Sequence, residues 1–215
     1  IGSTECNAGV PEEITNLSIT FNGCDIDSLK TLFDKYPDQI ACVITEPEKG
    51  PCSINCNCGS NPKAFLPEAI ELTHKNGALF IIDEMVTGFK TAFPGSITKF
   101  NLDADMATWG KGIANGFSFC ALTGKKEVMD LGGIRNKGSE RVFLISSTHG
   151  GETHAMAASI ATINEFKNSD IISKNHKLGD RLIVGINNVI NSKSLQEYIA
   201  VIPCNWLPIF TFRDN

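Results

Sequence analysis

Lys111 is the first residue to explain. It lies in ATWGKGIANG (107–116), a lysine between two glycines, directly after a short apolar run. An ammonium is costly to bury, and glycine is wasteful unless the backbone needs its freedom or a close approach. A lysine in a partly desolvated pocket loses affinity for its proton, and the neutral amine attacks carbonyls. The chemistry would be Schiff-base formation, with Gly110 and Gly112 letting a ligand approach the backbone. The plainer alternative is a surface lysine in a turn.

Asp83 ends the apolar run ALFIID (78–83). A carboxylate at the end of a buried strand emerges at the edge where α/β sheets bind ligands. Glu84 follows and alternates to the opposite side, as a structural group or as half of a carboxylate pair for a metal. Asp83 and Lys111 together suit a Schiff-base cofactor with a pyridine ring, whose nitrogen needs a carboxylate to stay protonated. STHGGETH (147–154) precedes a helical stretch and can offer backbone N–H groups and a hydroxyl to a phosphate, or simply cap the helix. His149 and His154 are one residue off the same-face helical spacing, so a metal pair is not expected. His74 and His176 fall in helical stretches and are expected at the surface. CSINCNC (52–58) holds three thiols, but it lacks a fourth ligand at a usual spacing. It is expected to be a polar loop without metal.

These residues need elements to position them. Asp25 can cap a helix to about Tyr36, with Ile26, Leu29, Leu32 and Phe33 on one face. IACVIT (40–45), ALFIID, ADMATW (104–109) and FSFCALTG (117–124) have the length and composition of strands. Pro67 suits the first turn of a helix reaching Asn76, closed by Gly77. Strands separated by helices predict an α/β fold with a mostly parallel sheet and helices on both faces. THAMAASIATINEFKN (153–168) and DIISKNHKLGDRLIVGINNVIN (170–191) are predicted helices. YIAVI and PIFTF are predicted strands that open a smaller α+β domain.

Composition narrows the partners. In 215 residues, 42% are hydrophobic, 20% charged, and the net charge is −5 without a basic block. This excludes nucleic acid as the main partner. No apolar run approaches the ~20 residues of a membrane span. The opening IGSTECNAGVPEE lacks the order of a signal peptide. Cys42 and Cys120 lie in apolar runs and read as core residues, so reduced thiols in a cytoplasmic setting are expected.

The segments CVITEPEKG (42–50), GALFIIDEMVTGFK (77–90), DADMATWGKGIANGFSFCALTGKKEVM (103–129) and STHGGETHAMAA (147–158) resemble the class III aminotransferases of fold type I. The resemblance is closest to glutamate-1-semialdehyde 2,1-aminomutase-like members. It implies pyridoxal 5′-phosphate as cofactor and a small-molecule amino or keto substrate. It implies Lys111 as the covalent attachment and proton-transfer residue, Asp83 as partner of the pyridine nitrogen, and Met85 against the ring face. Thr148 falls where a residue of a neighbouring subunit meets the phosphate, which implies a homodimer with shared active sites. Pro51, Lys90 and Glu152 depart from the usual residues, so the resemblance leaves open whether the substrate is that of the aminomutase or of another aminotransferase.

The resemblance also implies a domain division. Residues 1–168 correspond to part of the cofactor-binding large domain without its N-terminal portion. Residues 169–215 correspond to a linking helix and an incomplete small domain. A fragment of a longer protein, holding cofactor weakly, is therefore expected. The competing expectation is a non-catalytic remnant or subunit that keeps the fold.

Overall fold

The computed structural model describes residues 8–48, 62–132 and 148–212. The helices are α1 (Glu12–Thr15), α2 (Ile26–Lys35), α3 (Pro62–Lys75), α4 (Ser96–Lys99), α5 (Lys126–Met129), α6 (Thr153–Asn168) and α7 (Ile171–Ser192). The strands are β1 (Cys42–Thr45), β2 (Leu79–Asp83), β3 (Met106–Trp109), β4 (Ala121–Gly124), β5 (Ile199–Ile202) and β6 (Ile209–Phe212). Strands β1 to β4 form one sheet in that order. β1, β2 and β3 are parallel, and β4 returns antiparallel to β3. β5 and β6 form a separate antiparallel pair.

Local chemistry accounts for most element ends. Asp25 accepts a hydrogen bond from the Ser28 amide at 3.0 Å, capping α2 as expected. Helix α3 starts at Pro62, not at Pro67, which lies one turn inside it. Phe65 and Leu66 are buried and draw the helix upstream, and a proline this near the N-terminus removes a single intrahelical bond. β4 starts at Ala121, later than the predicted Phe117, because 117–118 bend after the left-handed turn at Asn115 and Gly116 and leave 119–120 unpaired as strand.

Register sorts the sheet's two faces. Val43 pairs with Phe80, Ile82 with Ala107, and Trp109 with Ala121. Phe80 and Ile82 meet Leu29 and Phe33 of α2 and Leu66, Ala69 and Ile70 of α3. On the same face Ala107 and Trp109 join Phe89, with Ile163 and Phe166 of α6 packed against them. The α/β architecture is as expected, with α2, α3 and α6 packed on this face, while α7 packs on β5. The opposite face carries Cys42, Ile44, Ile81, Asp83, Met106, Thr108 and Leu122. There Ile44 is 53% and Leu122 49% exposed.

Three expectations are corrected. Cys42 and Cys120 are exposed, not core residues. Cys42 alternates with buried Val43 onto the open face, and Cys120 precedes β4. His176 is half-buried, whereas His74 is exposed as expected, and both make hydrogen bonds. The His176 ring donates to the Lys90 carbonyl at 2.7 Å, joining α7 to the segment after β2. His74 Nε2 donates to Asp105 Oδ2 at 2.7 Å. No helix among the described residues is long and apolar enough to cross a membrane.

Asp105 closes the sheet edge remote from Asp83. It is buried, and Oδ2 also accepts the Phe80 amide at 2.7 Å, while Oδ1 pairs with Lys125 Nζ at 3.0 Å. Burial pushes its carboxyl upward. The Phe80, His74 and Lys125 hydrogen bonds outweigh that and hold it below the usual carboxylate range. A lowered folded value means the stabilisation is present above the unfolded value of about 4 and lost as pH falls through the folded one. Urea unfolding is expected to place Asp105→Asn about 2 kcal/mol below wild type at pH 7, with the gap closing in acid. A gap that persists in acid would assign the loss to packing instead.

Candidate active site

Asp83 is the last residue of β2 and lies beside Thr108 of β3 in the parallel register. Both side chains stand on the open face. The Thr108 hydroxyl donates to Asp83 Oδ1 at 2.9 Å, and the Met85 amide donates to the same oxygen at 2.9 Å. The second contact is an Asx-type turn, in which a carboxylate accepts from the amide two residues on. Asp83 Oδ2 accepts no hydrogen bond from a described residue. The result is a half-buried carboxylate with one oxygen fixed and one open at the strand's carboxyl end.

Lys111 opens a 3₁₀ turn, Lys111–Ile113, directly after β3 and Gly110. Its φ of 47° is left-handed, a conformation costly for a residue with a Cβ. The turn is anchored by buried Ile113 and Ala114, and α6 packs against it. The lysine side chain is exposed, and among the described residues it joins no ion pair. The flanking glycines serve a different purpose from the one expected. A Cβ at 110 would lie 2.4 Å from Met85 Cε, and one at 112 would lie 3.2 Å from Phe89 Cβ. They make room for Met85 and Phe89, not directly for a ligand. Met85 therefore covers Gly110 beside Lys111, and Asp83, Met85, Thr108 and the lysine turn form one locality.

Glu84 points the other way, as strand alternation requires. It is 0% exposed. Its Oε2 accepts the Thr87 hydroxyl and its Oε1 the Ile97 amide at 2.6 Å. Nearby, the Ser96 hydroxyl donates to Glu48 Oε1 at 2.7 Å and contacts Thr91 Oγ1 at 2.6 Å. Lys99 Nζ lies 3.0 Å from both Glu48 oxygens. This polar web fixes the segment between β2 and α4, so Glu84 is structural.

Thr148 is exposed in the turn before α6. Among the described residues, no hydrogen bond joins it to Asp83, Met85 or Lys111. His149 Nδ1 and His154 Nε2 contact Glu152 at 2.9 and 3.3 Å. The His149 hydrogen bond, foremost, holds the Glu152 carboxyl below its usual range. Among the described residues no group of three or more His, Cys, Asp or Glu could hold a metal. Cys52, Cys56 and Cys58 lie outside them. An apolar groove on α7, β5 and β6, lined by Leu178, Leu182, Ile186 and Phe210, contains none of the candidate residues.

Comparison with known proteins shows the family and the fold. The aminotransferase class-III family model matches residues 8–203. The glutamate-1-semialdehyde 2,1-aminomutase of Thermosipho africanus (strain TCF52B) is 36% identical over 184 residues, which are 85% of this chain and 41% of that protein. The FumI protein of Sphingopyxis sp. MTA144, solved in its PLP internal aldimine form, superposes with a TM-score of 0.76 at 20% identity, over 96% of this chain and 47% of that one. The β-phenylalanine aminotransferase of Variovorax paradoxus gives a TM-score of 0.69 at 22% identity, over 92% and 43% of the two chains. At such identities the solved structures speak for the fold alone. The chain spans about two-fifths of the curated relative's length, at 41%.

Glu84 offers a direct check on how this locality is held. Glu84→Ala leaves the Ile97 amide and Thr87 hydroxyl buried without their acceptor. Urea denaturation is expected to show a loss of about 3 kcal/mol, against about 1 kcal/mol for Glu84→Gln, which keeps a carbonyl acceptor. Equal losses would mean that these hydrogen bonds do not hold the segment.

Proposed function

Because the chain belongs to the class-III aminotransferase family, we propose that it is the lysine-bearing part of an enzyme that transfers amino groups with pyridoxal 5′-phosphate. The observation that carries this is the pairing of the half-open Asp83 carboxylate with the lysine turn one strand away. When bound, the cofactor supplies an aldehyde carbon for amines and a protonated ring that draws electrons from the substrate's α-carbon.

The chain's own residues have distinct tasks. Lys111 Nζ, exposed and unpaired among the described residues, is the amine that carries the cofactor. The same Nζ would be the base that takes a proton from the substrate's α-carbon and returns it. Asp83 Oδ2 is the open acceptor for the ring N–H. Met85, seated over Gly110, limits the position of the ring and keeps water from that side. Thr148, exposed ahead of α6, is the phosphate contact given to the site of a second copy in a homodimer. The substrates are a small amine and a small carbonyl compound, and the setting is the cytoplasm.

A second reading is a subunit or remnant that keeps the fold without turnover. It is favoured by the open sheet face beside Asp83, where Ile44 and Leu122 stay exposed. A chain of this length then holds the cofactor weakly.

Adding pyridoxal 5′-phosphate, reducing with borohydride and mapping peptides is expected to find the label on Lys111 and to lose it in Lys111→Ala. Indiscriminate labelling of surface lysines would refute the assignment. For the active enzyme, an amino-ketone supplied alone is expected to turn over completely if the reaction is intramolecular. If a second carbonyl acceptor is required, turnover stops after one equivalent.

A further inference from the structure

We propose that Thr108 is a positioning residue that sets the orientation of the Asp83 carboxylate. The inference rests on the assignment of Asp83 to the cofactor's ring nitrogen, and adds to it a residue to which the family resemblance assigned no role.

Residue 108 holds the end of β2 at two points. Its carbonyl accepts the Glu84 amide at 3.0 Å, and its hydroxyl donates to Asp83 Oδ1 at 2.9 Å. The first contact is backbone and would survive any side chain. The second depends on a hydroxyl at this register position. A β-branched residue in a strand has few χ1 choices, so the hydroxyl is held ready rather than recruited. An aspartate's χ2, by contrast, is broad and roughly two-fold. With only the Met85 amide on Oδ1, the carboxylate could pivot about that single bond. With Thr108 as well, Oδ1 is fixed from two directions and Oδ2 is left as the open acceptor. Hydrogen bonds to a charged acceptor are among the stronger ones, so the hydroxyl is suited to this role.

Thr108→Val keeps the shape and β-branch and removes the donor, while Thr108→Ser restores a hydroxyl. Two measurements separate the proposal from the assignment beneath it. In the cofactor-free chain, amide hydrogen exchange at Met85 is expected to be several-fold faster in Thr108→Val and close to wild type in Thr108→Ser. Unchanged exchange in Thr108→Val overturns the proposal, whatever the cofactor does. With pyridoxal 5′-phosphate carrying an isotope-labelled ring nitrogen, the nitrogen signal is expected to move toward the unprotonated form in Thr108→Val. Affinity is expected to fall roughly tenfold, with both effects reversed by serine. A ring-nitrogen signal identical in wild type and Thr108→Val also overturns it. If wild type binds no cofactor that depends on Lys111, the assignment of the site fails instead, and the Met85 exchange alone decides whether Thr108 orients Asp83.

Discussion

The parallel register of β2 on β3 is the constraint on which the rest depends. It sets Asp83 opposite Thr108 and Ile82 opposite Ala107. Side chains alternate along a strand, so a slip of one residue would exchange every inward and outward position. Asp83 would enter the core and Glu84 would lose its buried partners. The slip is prevented by the apolar residues of the helix-covered face. Phe80, Ile82, Ala107 and Trp109 are all buried and would all be displaced together. Hydrophobic burial on one face thus determines polar geometry on the other.

Around that register, polar groups fix what apolar packing cannot. Glu84 ties the end of β2 to the Ile97 amide, and Glu48 ties the segment after β1 to Ser96 and Lys99. The His176 ring extends the connection to α7 through the Lys90 carbonyl. Phe89 carries the same segment into the core, edge-on to Trp109 and Phe166. At the remote end, Asp105 collects an amide, a histidine and a lysine. Buried polar groups are costly unless hydrogen-bonded, and among the described residues no buried side-chain nitrogen or oxygen lacks a partner. The sheet is therefore clamped at both ends, with Asp83 at the more open one.

Among the described residues, α2, α3 and α6 pack on one face of this sheet. Parallel sheets are ordinarily covered on both faces. Here, among the described residues, the face bearing Asp83 and Thr108 keeps Ile44 and Leu122 half exposed. The groups proposed to meet the cofactor lie on that face.

Much of the fold was legible from the amino-acid order. The α2 cap, the four apolar runs, α6, α7 and the β5–β6 pair follow from periodicity and turn residues, which are local properties. Lys111 and Asp83 stood out because a charge beside an apolar run is conspicuous in one dimension. Other features needed the tertiary structure. Thr108 looks like an ordinary strand threonine until β3 lies against β2. Gly110 suggested space for a ligand until Met85 was found in that space. Cys42 read as core because its neighbours are apolar, but which face of a strand is covered depends on what packs there. His74 and His176 found partners 31 and 86 positions away. The sequence by itself determined most of the longer elements and singled out the lysine and aspartate proposed to carry the chemistry, because these depend on residue type and short-range pattern. The tertiary structure decided which oxygen of Asp83 is held, what the glycines beside Lys111 make room for and which face stays open, because these depend on contacts between distant segments that no local pattern specifies.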